Sequence, residues 1–152
     1  MSRIAVFAGS FDPITLGHFS IVEKALPLFD KIYVAVGTNT SKQYLFDADQ
    51  RFDMAQKSFS TFQKVEIAAF EGLTVDFCKD VNANFLLRGL RNNIDFEYEK
   101  PIAEMNKKLY PDLETVFFIT DAEMSCISSS IVRELIKNNG NVERFLPPGL
   151  KL

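Results

Sequence analysis

Five short apolar runs rich in β-favouring residues punctuate the chain: Ile4-Ala8, Ile32-Val36, Val65-Ala69, Phe85-Leu87 and Val116-Ile119. Each is close to continuously apolar instead of alternating, the pattern of strands covered on both faces. Between them the apolar residues fall at helical spacing, at Ile21, Val22, Ala25 and Phe29, at Phe52, Ala55 and Phe59, and at Ile131, Val132, Leu135 and Ile136. Strand and helix therefore alternate, and the pattern predicts an α/β protein with one parallel sheet of five strands.

Helix starts can be placed from side chains that accept hydrogen bonds from free backbone N–H groups. Asp47 with Gln50 three residues on reads as a capping box, and Thr74 and Ser128 to Ser130 are positioned to cap the segments that follow. Pro27 is expected to fray the end of the first helix. Pro101 falls within a stretch from about Asp95 to Leu109 whose stripe is Tyr98, Ile102, Met105 and Leu109, so a kink or break is expected there. No repeat, linker or low-complexity tract interrupts residues 1–152, which read as one domain.

At 17.2 kDa, such a chain exposes about 25,000 Å² unfolded and about 7,800 Å² folded, enough burial for a core without staples. Two cysteines, Cys78 and Cys126, with a single histidine leave no four-ligand zinc site. No run approaches the roughly 18 apolar residues of a membrane span, and no signal-peptide pattern is seen, so a cytoplasmic location is expected. The formal net charge of -3 does not predispose the chain to nucleic acid. Any chemistry that needs an imidazole must use His18.

In an open parallel sheet, ligands gather beyond the carboxyl ends of the strands. Gly9 to His18 follows the first run, Lys42 lies in the loop after the second, Arg88-Gly-Leu-Arg91 follows the fourth, and Ala122 to Ser130 follows the fifth. His18 stands where a helix start favours an anion; an isolated histidine there is more often a core cover, and its company with Gly9, Ser10 and Gly17 at the ligand end of the sheet tips the reading to function. Arg88 and Arg91 suit bidentate phosphate binding, and equally suit ion pairs with Asp95, Glu97 or Glu99. Ser128 to Ser130 can cradle an anion or simply cap a helix. Lys42 alone reads as an ordinary loop lysine, Glu99 as a solvated helix residue and Cys126 as a small buried filler. Neither GxGxxG nor GxxxxGK[ST] occurs, so the commoner phosphate-binding loops are absent.

Taken together, GSFDPITLGH (Gly9 to His18), Lys42, Arg88 to Arg91, Asp95 to Glu99 and Ile127 to Ser130 closely resemble the bacterial phosphopantetheine adenylyltransferases, over nearly the whole chain. These belong to the nucleotidyltransferases with an HxGH-like signature, whose first position is Thr15 here. The resemblance implies a single doubly wound, Rossmann-like parallel sheet, a homohexamer, and transfer of AMP from ATP to 4'-phosphopantetheine, with Mg²⁺ bound mainly through substrate phosphates and coenzyme A as a feedback ligand. By position it implies ATP contacts from Ser10, Phe11, His18, Gly89, Leu90, Arg91, Glu99, Met124, Ser125, Cys126, Ile127, Ser128, Ser129 and Ser130. It implies acceptor contacts from Ser10, Lys42, Thr74 and Arg88, and chemistry carried by His18, Ser10, Lys42, Arg88 and Arg91. Two rivals are a sister nucleotidyltransferase with another acceptor and a nucleotide-binding module without turnover.

Overall fold

A computed structural model describes residues 1–152. The strands are β1 (Ile4–Gly9), β2 (Lys31–Thr38), β3 (Val65–Glu71), β4 (Phe85–Leu90) and β5 (Glu114–Ile119). The helices are α1 (Leu16–Ala25), α2 (Ala48–Ser58), α3 (Thr74–Asp80), α4 (Asn93–Leu109) and α5 (Ser129–Lys137). All five strands are parallel, in the order β3-β2-β1-β4-β5. The expected doubly wound sheet is therefore present, and its order reverses between β1 and β4. No helix is long and apolar enough to cross a membrane.

The two faces are unequal. One buries a cluster of 20 residues, including Phe7, Val22, Val34, Met54, Leu87 and Val132, beneath α1, α2 and α5. The other buries only 8, among them Val6, Ala35, Val75 and Cys78, beneath α3. The expectation that every run is covered on both faces holds for β1 and the middle of β2, and fails at the edges. β3 has no fully buried residue and neither has β5, because an edge strand has a neighbour on one side only.

Helix starts follow the local chemistry. The Asp47–Gln50 capping box forms, and Asn92 and Ser128 cap α4 and α5. Thr74 is no cap: it is the first residue of α3, whose cap position is Leu73 without a side-chain bond. α1 ends at Ala25, two residues short of Pro27. α4 runs unbroken through Pro101 to Leu109, correcting the expected break. Its stripe also faces outward: Tyr98, Ile102, Met105 and Leu109 are exposed, and Glu99 is the only buried residue of the helix. The folded surface of 8801 Å² accordingly exceeds the roughly 7,800 Å² that this mass predicts for a self-sufficient monomer.

Candidate active site

The ladder between β1 and β4 consists of Ala5↔Phe85 and Val6↔Leu86, whereas β1 stays paired with β2 as far as Gly9↔Val36. Beyond Leu86 the two central strands part at the reversal of strand order, and a crevice opens at their carboxyl ends. Arg88 spans the gap. Its Nη1 donates to the Ala8 carbonyl at 2.8 Å, supplying a partner for a group the ladder has left. Its Nε and Nη2 donate to Glu99 at 3.0 and 2.6 Å, a two-pronged pair with a carboxylate buried on α4. β4 thus runs three residues further than its apolar run, and Arg88 lies within it instead of after it.

The crevice encloses about 370 Å³. Gly9, Ser10, Phe11, His18, Lys42, Arg88, Gly89, Arg91, Glu99 and Ile127 to Ser130 line it, together with Thr15, Gly17 and Arg133. Thr74 lies instead on a neighbouring cavity of about 200 Å³ with Tyr98, Ile102 and Asn106, and Arg88 and Glu99 border both spaces. Leu90, Met124, Ser125 and Cys126 do not line either cavity. Cys126 is exposed, correcting the expectation of a buried filler; Cys78 is buried, and burial pushes its thiol up to about 12. Thiol chemistry has no support in this arrangement.

His18 is the third residue of α1. Thr15, the cap, accepts from the His18 backbone N–H, and the Thr15 backbone N–H donates to His18 Nδ1 at 3.0 Å. A nitrogen that accepts carries no proton, so the neutral ring holds its proton on Nε2, as a donor. The Phe11 ring packs edge-on against the imidazole at 5.0 Å from a backbone φ of 49°, in the left-handed region that bulky residues rarely adopt. Burial, with the positive Arg88 and Arg91 nearby, lowers the His18 pKa from 6.5 to about 4.

The unfolded chain therefore takes up this proton before the folded chain does. The stability associated with the neutral ring is complete above about pH 6.5 and is lost as pH falls through about 4. Because His18 is the only histidine, its imidazole carbon-bound protons can be followed by NMR without ambiguity. The titration midpoint is expected near 4, and one at 6.5 would show that the ring is neither desolvated nor near the arginines.

Lys42 is exposed, yet its Nζ donates to Ser10 Oγ at 3.3 Å, which joins the two loops that follow β1 and β2. Arg91 pairs with Asp95, donating from Nε at 3.0 Å and Nη2 at 3.1 Å, and this holds the Asp95 carboxyl below its usual range. Both arginines thus make the ion pairs that their sequence context allowed, and they still face the crevice. At α5, Ser128 caps the helix, Ser129 Oγ donates to the Pro13 carbonyl at 2.8 Å, and Ser130 Oγ accepts from Arg133 Nη2 at 3.1 Å. The starts of α1 and α5 both present backbone N–H groups to one polar space, which suits a polyphosphate.

Sequence reasoning missed three residues. Arg133 lines the crevice and donates to the Asp12 carbonyl at 2.9 Å, and the Asp12 carboxylate accepts from Leu45 and Phe46 N–H. Arg51 is wholly buried. Asp12 lies within the GSFDP turn and was open to notice, whereas both arginines fall at helix positions where charge is ordinary.

This is the architecture of a nucleotide-transferring enzyme, with a crevice lined by arginines, a lysine and two helix starts at the sheet's reversal, and a histidine at one of those starts. Residues 6–135 match the cytidylyltransferase-like family. A solved structure described as a nicotinate-nucleotide adenylyltransferase from Vibrio parahaemolyticus shares the fold, with a TM-score of 0.74 over 97% of this chain and 95% of that one at 15% identity. The phosphopantetheine adenylyltransferase of Cytophaga hutchinsonii is 49% identical, covering 97% of this chain and 98% of its own. That of Flavobacterium psychrophilum is 45% identical, with 99% of both chains covered. The chain belongs to the phosphopantetheine adenylyltransferases, as its motifs resembled, and is a nucleotidyltransferase.

Proposed function

We propose that the two adjoining cavities bring together ATP and 4'-phosphopantetheine, and that the chain joins them as dephospho-coenzyme A. The reading rests chiefly on one observation: the His18 imidazole, with Nδ1 already engaged at the start of α1, lines the same crevice as the α5 start, Arg88 and the Lys42–Ser10 pair. The acceptor phosphate is anionic at neutral pH, so no base is needed. One of its oxygens attacks the α-phosphorus of ATP, the bond to the bridging oxygen breaks, and pyrophosphate leaves in line with the attack.

The chain's contribution is placement and charge stabilisation. Lys42, Ser10 and Arg88 hold the acceptor phosphate; Arg88 still has two N–H groups beyond the three bonds it makes. Thr74, Ile102 and Asn106 line the second cavity, whose mixed polar and apolar walls suit an amide-bearing arm. His18 Nε2 donates to the α-phosphate as charge builds, and Arg91 and the α5 start bind the outer phosphates. No three His, Cys, Asp or Glu side chains converge on a metal position, and Asp95 and Glu99 are already bound to arginines. This donor set fits Mg²⁺ carried by the substrate phosphates and water, where it would neutralise phosphate charge.

Exposed Tyr98, Ile102, Met105 and Leu109 on α4 and the excess folded surface support assembly into an oligomer, read as a hexamer and tested by light scattering. Coenzyme A carries the same arm as the acceptor, so as a feedback ligand it would compete for the second cavity. A cytoplasmic setting accords with these substrates. Incubation with ATP, Mg²⁺ and 4'-phosphopantetheine should yield dephospho-coenzyme A by mass, and its absence would sink the proposal. Lys42→Ala is expected to raise KM for 4'-phosphopantetheine about tenfold or more while leaving KM for ATP nearly unchanged, since loss of a charge-assisted bond acts on the ligand it touches.

A further inference from the structure

Arg51, in the first turns of α2, has 0% of its surface exposed and is the largest fully buried side chain. None of the chain's nine ion pairs includes it. A buried cation without an acidic partner is costly, and every donor it has must find an acceptor. The acceptors here come from the two loops flanking the crevice and from the end of β2 between them. Nη1 donates to the Ser10 carbonyl and the Gly37 carbonyl, each at 2.8 Å; Nε donates to the Phe46 carbonyl at 3.2 Å; Nη2 donates to Thr38 Oγ1 at 3.2 Å. The guanidinium also stacks 4.0 Å from the centre of the Tyr44 ring.

These contacts share a logic. Ser10 is in the loop after β1, Thr38 ends β2, and Tyr44 and Phe46 belong to the loop that carries Lys42. Asp12 catches that second loop from the opposite direction through the Leu45 and Phe46 N–H groups, at 2.8 and 2.9 Å. The Phe46 backbone is thus held through its N–H by the first loop and through its carbonyl by α2. The result at the crevice is the 3.3 Å approach of Lys42 Nζ to Ser10 Oγ.

We propose that Arg51 is a positioning residue for the acceptor phosphate: its planar fork sets the spacing of Ser10 and Lys42 without touching substrate, and its buried positive charge adds to the field that an anion meets there. This rests on assigning the acceptor phosphate to Ser10 and Lys42. Lysine at position 51 keeps the charge and loses the fork, since one ammonium cannot reach both loops in the same geometry.

The test is steady-state kinetics on Arg51→Lys beside the unaltered chain, with Lys42→Ala as control and melting curves for each. Arg51→Lys is expected to raise KM for 4'-phosphopantetheine at least tenfold and to leave KM for ATP within twofold. An unchanged acceptor KM, or both KM values rising together as in general loosening, would overturn the inference. Should Arg51→Lys fail to fold, Thr38→Val decides. It removes the hydroxyl whose one side-chain hydrogen bond is accepted from Arg51 Nη2 at 3.2 Å, and a selective rise of about threefold in acceptor KM supports the inference, whereas no rise refutes it. If Lys42→Ala leaves acceptor KM unchanged, the phosphate assignment itself fails and the role of Arg51 falls with it. A normal Lys42→Ala effect beside an unaltered Arg51→Lys refutes the positioning role alone.

Discussion

His18→Ala is expected to lower kcat by about 10²- to 10³-fold, the usual consequence of removing one transition-state donor, with KM for ATP changed little. The split follows from geometry. Nδ1 is occupied by the Thr15 N–H, so the ring offers one free polar atom, Nε2, and that atom bears a proton. Its bond strengthens as negative charge gathers on the α-phosphate oxygens and adds little to the ground state. The helix starts and arginines that bind the outer phosphates remain in place. His18→Gln tests the same point with a donor of different reach and should recover part of the rate. A variant without the ring that turns over normally would remove His18 from the chemistry. Since the ring is already neutral well above about pH 4, kcat should also stay flat through pH 6.5, where an ordinary histidine would titrate.

Arg88→Met is expected to cost both stability and acceptor binding. It strands the Glu99 carboxylate, 8% exposed as a residue, and leaves the Ala8 carbonyl without its partner. Losing hydrogen bonds to a charged group costs about 1.5 to 3 kcal/mol; the low end applies because the Arg88 side chain is itself 31% exposed. The urea midpoint should fall accordingly, and KM for 4'-phosphopantetheine should rise at least tenfold. Adding Glu99→Gln removes the stranded charge, so the double variant should regain much of the stability and none of the acceptor affinity. Recovery of both together would mean that Arg88 serves the fold alone. An unmoved midpoint in Arg88→Met would show that the pair with Glu99 holds nothing in place.

The two expectations differ in how far the chain itself announced them. His18 was visible as the only imidazole, set at a helix start, and its motif context carried its role. The pair between Arg88 and Glu99 was one of three offered by nearby acids, because residues 11 apart in sequence meet only once β4 and α4 have been laid side by side. Thr74 was assigned to the acceptor by position, and the fold placed it on a second cavity that borders Arg88. The stripe on α4 has the spacing of a core-facing helix and faces outward, since apolar spacing specifies a face and not what covers it.

Local pattern determined much of this protein. Apolar runs and helical spacing set the alternation of strand and helix, the Asp47 box and the Ser128 cap set helix starts, and the parallel order of the sheet followed from the alternation. These depend on neighbours within a few residues, whose physics a linear chain displays directly. What only the tertiary structure decided was which polar groups face one another: the parting of β1 from β4, the lowered pKa of His18, the neighbouring cavities and the buried fork of Arg51. Desolvation and hydrogen bonding depend on what surrounds a group in three dimensions. An arginine written among charged helix residues reads as solvated until the fold wraps two loops around it.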